Sequence, residues 1–295
     1  MQIRPVVIKQ LTWGVLLALP LLISLAPRSL MAHDEGYYAL QARWIVETGD
    51  WITPAYWGQP AYDRTIGVQW LIAIAVRWFG LNPIAMHLPS WLAAAASAAL
   101  CWRLSRHWLV PVVLILTPLW FSYANLATQD MPLLACELFG LWGLWTRRAW
   151  AAGLWLGPAF LIKGFMVFLP ALAMLPLLVI ERRSLLQQSS FWISLMLGWI
   201  PAALWLGLSI SAHGLEAVSA LWQKLLWLSG PTAFKKGPFY YLWNVPANTA
   251  PWGLFSPIGA LLLWRRWHNR EIKREALLLW LAYPIILLFL LSSFN

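Results

Sequence analysis

Acidic side chains are scarce in this chain: 11 Asp and Glu against 21 Lys and Arg in 295 residues, with 11% of residues charged in all. Cysteine is nearly absent. Cys101 and Cys136 both fall in apolar segments and lack metal-ligand or Cys-x-x-Cys spacing, so they read as buried, inert thiols. His87, His107, His213 and His268 have no ligand-like spacing to one another. No phosphate-cradling glycine loop, Ser/His/Asp order or internal repeat is present. The net charge of +10 does not imply nucleic acid, because the basic residues sit mostly in short loops between apolar runs. No Lys/Arg face is left to follow a phosphate backbone.

What fills the chain instead is apolar: 61% of its residues, including 24 Trp. A soluble domain is roughly 45–50% apolar, and the excess here points to lipid as the solvent. Windows of about 20 apolar residues recur, the length that crosses the hydrocarbon layer as a helix. The expected fold class is an all-α polytopic membrane protein. About nine transmembrane helices are expected, at 11–31, 84–102, 108–125, 131–146, 149–162, 165–180, 191–210, 241–264 and 276–292. The first is read as a retained span rather than a cleaved signal, since Leu30 stands where a cleavage site wants a small residue and Arg28 interrupts the run.

Arginine placement sets the orientation. Arg4 and Lys9 precede the first span. Arg103 and Arg106, Arg147 and Arg148, Arg182 and Arg183, and the group Arg265, Arg266, Arg270, Lys273 and Arg274 follow every second span thereafter. All of these are assigned to the cytoplasm, together with the N-terminus. Ile66 to Phe79 is apolar but too short to cross, and counting it as a span would put the later arginines on the wrong side. It is expected to lie on the membrane face. Glu35 to Glu47 has helical spacing and ends at Gly49. The loop 32–83 thus becomes two interfacial helices joined by a turn rich in proline and aromatic residues. The loop 211–240 is a second large outer loop.

That outer face gathers the conspicuous polar residues. Five of the 11 acidic residues lie between His33 and Asp63: Asp34, Glu35, Glu47, Asp50 and Asp63. Carboxylates at a membrane edge are expensive and mark functional candidates. Asp34 either caps the helix that follows or serves as a general base. Asp63-Arg64 is either a local ion pair or a phosphate or metal site, because Arg matches phosphate oxygens in bidentate geometry. Asp130-Met131-Pro132 is either a helix start or a second acidic site. Lys163-Gly164 is either a snorkelling lysine at a helix end or a charge facing an anionic headgroup. Glu137 reads as a structural partner, and His33 as a surface histidine. The parity of the spans alone puts Asp34, Asp63, Arg64, Asp130 and Lys163 on one face.

At these residues the sequence resembles a known family. The stretches DEGYYALQARWIVETGDWITP and YDRTIGVQWLIAIAVRWFGLNPIAMHLPS, then TQDMP, LIKGFMVFLP and GPFYYLWNVPANTAPW, resemble the dolichyl-phosphate-mannose-protein mannosyltransferase superfamily, in order and spacing. The likeness is to the bacterial branch that contains the undecaprenyl-phosphate-aminoarabinose:lipid A transferases, and it covers nearly the whole chain. The resemblance implies a single GT-C transmembrane domain over 1–295. It further implies an enzyme that moves a sugar with inversion from a polyprenyl phosphate to a lipid, glycan or protein acceptor, outside the bacterial inner membrane. It makes Asp34 the catalytic carboxylate and Asp130 the second acidic site. Glu35 and Tyr38 support them, Asp63 stands at a metal-associated position, and Arg64 and Lys163 hold the donor phosphate.

A divalent metal ion is a possible cofactor under this resemblance, and no nucleotide is needed because the donor arrives in the bilayer. The expected partners are the lipid-linked sugar, its acceptor and membrane lipids. Three departures are visible. Arg64-Thr65-Ile66 replaces a Lys-Pro-Pro run, and Lys235-Lys236 occupies the region of an expected histidine. The sequence stops at Ser292-Ser293-Phe294-Asn295, near where relatives continue, so a C-terminal part of the family is expected to be missing. The alternatives are a flippase or transporter for a lipid-linked envelope precursor, or an inactive relative acting as a partner subunit.

Overall fold

The computed structural model describes Leu30 and residues 34–228 and 239–293. The expected first span at 11–31, His33 and the Lys235-Lys236 pair therefore lie outside the described residues. The chain divides into two compact units, one of residues 1–60 and 68–135, the other of 61–67 and 136–295. Among the described residues, secondary structure is almost wholly helical, and four segments are long and apolar enough to cross a membrane.

In the first unit, helix α1 (Glu35–Thr48) ends where Gly49 takes the left-handed conformation, φ 74°, and returns its N–H to the Ile45 carbonyl. A two-residue hairpin follows, β1 (Ala55–Tyr56) paired antiparallel with β2 (Gln59–Pro60). Its turn puts both Trp57 and Gly58 at positive φ. Helix α2 (Gly67–Phe79) spans 13 residues, close to the short apolar helix expected. Gln69 Nε2 donates to Gln41 Oε1 at 2.6 Å between two fully buried side chains, and Trp70 Nε1 donates to the Trp51 carbonyl at 2.8 Å. These bonds lock α2 to α1 and to the loop between them.

Helix α3 (Pro83–Ser105) is capped by Asn82, whose side chain accepts from the Ala85 amide, and is long enough to span. The expected continuous span 108–125 is interrupted. It forms α4 (Leu109–Ile115) and α5 (Pro118–Ala124), seven residues each. The residue before a proline is pushed out of the helical region, and Thr117 is extended at ψ 118° ahead of Pro118. Ala94, Ala98, Ile115, Trp120, Ala124 and Met131 form the core between these helices and α6 (Asp130–Trp145).

The second unit continues with α7 (Ala149–Leu154) and α8 (Leu156–Lys163), then a tight turn, Gly164–Val167, and α9 (Phe168–Pro176). The helical stretch Ala149–Glu181 has 33 residues, which as one rod would reach about 50 Å, too long for a core of about 30 Å. It folds back instead. Helix α10 (Ser189–His213) runs alongside α7 and α8 in the same direction: Gly153 lies against Phe191 and Ser194, Gly157 against the Gly198 backbone, and Phe160 against Trp199 at 4.9 Å. Arg182 Nε meanwhile reaches the Leu144 carbonyl at 2.7 Å, which returns the end of the stretch to its start. The reversal falls at Gly164, φ 59°, as the Lys163-Gly164 tip predicts. Small residues at four-residue spacing permit this close approach of backbones, the pattern by which membrane helices associate.

Helix α10 also shows what surrounds it. Its buried side carries Phe191, Ser194, Gly198, Ala202, Trp205 and Ser209, while Ile193, Leu197, Ile200, Leu204 and Leu208 are exposed. The small residues of the buried side let neighbouring helices approach closely, and the exposed aliphatic side suits lipid. The rest of the unit is α11 (Glu216–Leu228), α12 (Tyr240–Asn248), α13 (Ser256–His268) and α14 (Arg274–Ser292). The expected span 241–264 is thus also broken, by a short turn of helix at Trp252–Phe255 that begins after Pro251.

Candidate functional site

The first acidic pair is divided between two roles. Asp34 occupies the N-cap position of α1, yet its side chain makes no capping hydrogen bond and is exposed. Its neighbour Glu35 is 4% exposed, and its Oε1 accepts from the Ala127 amide at 2.8 Å while pairing with His87 Nε2 at 2.7 Å. His87 Nδ1 lies 2.6 Å from the Pro83 carbonyl, which can only accept, so Nδ1 carries a hydrogen. The Glu35 carboxyl and His87 Nε2 therefore share one further proton. The His87 ring stacks on Trp91, whose Nε1 donates to Asn125 Oδ1 at 3.3 Å.

This network clamps the loop 125–130 onto α1 and α3. The chain leaves the clamped Ala127 and reaches Asp130 three residues later, where Thr128 Oγ1 donates to Asp130 Oδ2 at 3.0 Å. Asp130 is half-buried. Asp34 and Asp130 consequently stand at the same end of the first unit, one residue before and three residues after the two ends of a single hydrogen bond. Gln129, between them in the loop, keeps its Nε2 buried with no partner among the described residues. An orphaned buried donor costs about 1–3 kcal/mol and calls for an acceptor. Tyr38 is buried against Tyr37, ring centroids 5.8 Å apart, and supports the N-terminal turns of α1 by packing.

The second set of residues belongs to the other unit. Asp63 and Arg64 form an ion pair at 3.7 Å with both side chains half-exposed. The short segment 61–67 that carries them is held at its far end by Gly67, where an added Cβ would lie 2.6 Å from the Leu161 carbonyl oxygen. Thr65 is buried and faces Gly164, and Tyr62 packs on the His213 ring at 5.7 Å. Arg64 is thereby kept at the Lys163-Gly164 tip. Lys163 is half-buried there, about 20 Å along α7 and α8 from their start at Ala149. Of the candidate residues, then, Asp34, Glu35, Tyr38 and Asp130 sit in the first unit and Asp63, Arg64 and Lys163 in the second.

No group of three His, Cys, Asp or Glu side chains that could hold a metal ion occurs among the described residues. Asp63 pairs with the Arg64 guanidinium, and no chemical step is assigned to a metal ion.

The opposite end of the second unit carries charges that organise structure. Arg182, 1% exposed, donates to the Leu144 carbonyl and to Glu275 Oε2 at 2.8 Å. Arg147 reaches the other oxygen of Glu275 at 3.0 Å, and Arg274 pairs with Glu181. The loops carrying these three arginines therefore meet at one end, as the alternation of charge along the sequence requires. Sequence reasoning singled out neither His87 nor the Glu275 bridge, because both partners are distant along the chain.

Comparison with known proteins supports the fold and the resemblance. Residues 63–207 match the model of the family described as dolichyl-phosphate-mannose-protein mannosyltransferase. The undecaprenyl phosphate-alpha-4-amino-4-deoxy-L-arabinose arabinosyl transferase 1 of Pseudomonas fluorescens (strain Pf-5) is 28% identical over 293 residues, 90% of this chain and 52% of its own length. The corresponding transferase of Pseudomonas paraeruginosa is 29% identical over 309 residues, 93% of this chain and 54% of its own. The crystal structure of ArnT from Cupriavidus metallidurans bound to undecaprenyl phosphate superposes with a TM-score of 0.77 at 19% identity, over 97% of this chain and 58% of that one. Its apo form gives 0.63 at 20% identity, over 97% and 59%. This chain spans about half the length of the relatives it matches. It is a helical membrane protein that shares the fold of those structures and is similar in sequence to the aminoarabinose transferases.

Proposed function

We propose that this chain is a membrane glycosyltransferase of the extracytoplasmic face of the bacterial inner membrane, with its N-terminus in the cytoplasm. It takes a sugar from a polyprenyl phosphate and gives it, with inversion, to the hydroxyl of a lipid, glycan or protein acceptor. The acceptor oxygen attacks the anomeric carbon as the bond from that carbon to the phosphate oxygen breaks. The polyprenyl phosphate leaves with the electron pair, and Asp34 takes the acceptor proton. Asp130 is the second acid of the site, held by Thr128 Oγ1.

One observation carries this reading: the segment 61–67 is seated against the tip of α8, which keeps Arg64 and Lys163 at one end of the second unit. The leaving group is already a phosphate, so what the enzyme must supply there is fixed positive charge. Arg64 gives the bidentate fork and Lys163 a point charge. The names of the relatives and the undecaprenyl phosphate of the bacterial structure support the donor class.

Arg64→Ala is expected to raise the apparent donor KM about 10-fold or more, the value of one charge-assisted hydrogen-bond pair to phosphate. Arg64→Lys should retain part of that affinity. A steady-state titration of the polyprenyl-phosphate sugar decides it, and an unchanged donor KM in Arg64→Ala would remove Arg64 from the phosphate site.

A further inference from the structure

A half-open charged cavity, lined by none of these residues, lies between the C-terminal turns of α1 and α2. Its volume is about 520 Å³ and it is lined by Arg43, Val46, Glu47, Val76, Arg77, Gly80 and Leu81. That volume is within the range of small-ligand sites and accepts a phosphate with part of the group it esterifies. Arg43 turns its Nε to Glu47 Oε1 at 2.6 Å, which neutralises that carboxylate and leaves four Nη hydrogens in the guanidinium fork. Arg77 adds a second guanidinium on the facing helix. The balance of charge in the cavity is therefore positive, in a fork geometry that suits phosphate oxygens.

The surroundings say what the phosphate is attached to. Along α2, Val68, Ile72 and Val76 are buried, whereas Leu71, Ile74 and Trp78 are exposed at helical spacing, Trp78 by 80%. Phe79, Leu81 and Ile84 extend this exposed apolar strip past the mouth of the cavity. Leaving such side chains in water costs about 1.5–3 kcal/mol each, and an apolar strip of this kind suits acyl chains. Guanidinium groups at the end of a lipid-facing strip stand where headgroups begin.

We infer that the cavity between Arg43 and Arg77 binds the phosphate of an anionic lipid headgroup, with the acyl chains lying along Leu71, Ile74 and Trp78. The site is independent of sugar transfer and stands whether or not the chain is an active transferase.

The test is native mass spectrometry of the purified chain, titrated with dioctanoyl phosphatidic acid, dioctanoyl phosphatidylcholine and inorganic phosphate. One saturable phosphatidic acid site is expected, weakened at least ~10-fold by Arg77→Gln and further by Arg43→Gln/Arg77→Gln, largely kept by Arg77→Lys and unaffected by Arg183→Gln. These exposed side chains can be replaced without disturbing the core, and thermal unfolding of each variant checks that they are. Equal binding by the double variant, or phosphatidylcholine binding as tightly as phosphatidic acid, overturns the site. Inorganic phosphate competing at the same concentration overturns its assignment to lipid.

Discussion

Asp34→Asn is expected to lower the turnover number for sugar transfer about 10²- to 10⁴-fold, the contribution of a positioned general base. The substitution keeps the size and shape of the side chain and removes its negative charge and with it the capacity to take a proton. Asp34 is exposed and makes no capping bond at the start of α1, so the helix does not depend on its carboxylate. Unfolding temperature and expression should therefore match the parent. Under the proposed roles Arg64 and Lys163, not Asp34, hold the donor phosphate, so the donor KM should also stay within a few-fold. Asp130→Asn gives the useful contrast, since Thr128 bonds the Asp130 carboxylate and its loss should loosen the loop as well. If Asp34→Asn turns over within 10-fold of the parent, the base is another group.

Glu35→Ala should have the largest effect on stability. A buried carboxyl that satisfies both a histidine and a backbone amide cannot be removed without stranding both. Breaking a buried pair costs about 3–5 kcal/mol, and the stranded Ala127 amide adds to it. Glu35→Gln keeps a carbonyl oxygen for Ala127 and should lose about 1–3 kcal/mol, the penalty for one imperfect buried partner. Both are read from chemical unfolding in detergent, with a Glu35→Gln/His87→Gln cycle to isolate the coupling. Glu35 acts as a positioning residue, because it fixes the loop that leads to Asp130. The Gln variant should accordingly lower kcat more than it raises the donor KM. A fully stable Glu35→Ala protein would mean that the clamp does not hold the loop.

Much of this was legible in the sequence where the signal is local. Gly49 ends α1 because a left-handed residue is needed there, and Gly164 marks the reversal after Lys163 for a similar reason. The short apolar run at 66–79 formed a helix of nearly that extent. Proline was underweighted: Pro118 and Pro251 break two stretches that hydropathy alone reads as continuous. The hairpin at Ala55–Pro60 escaped notice because Trp57 is an uncommon residue for a left-handed turn position. What the sequence hides is pairing at a distance. Glu35 meets His87 across 52 residues and Ala127 across 92, and Arg182 meets Glu275 across 93. No periodicity records such partners. The acidic pair at 34 and 35 could be seen, but that one member is buried and structural while the other is exposed is a matter of which way α1 turns.

The fate of the bond between sugar and phosphate tests the account most directly. The purified chain in lipid nanodiscs, given a polyprenyl-phosphate sugar and an acceptor, is to be followed by mass spectrometry of the lipid fraction. Transfer yields free polyprenyl phosphate in step with glycosylated acceptor, and Asp34→Asn stops both together. Donor that stays intact in the parent protein, whether left in place or merely moved between leaflets, contradicts it.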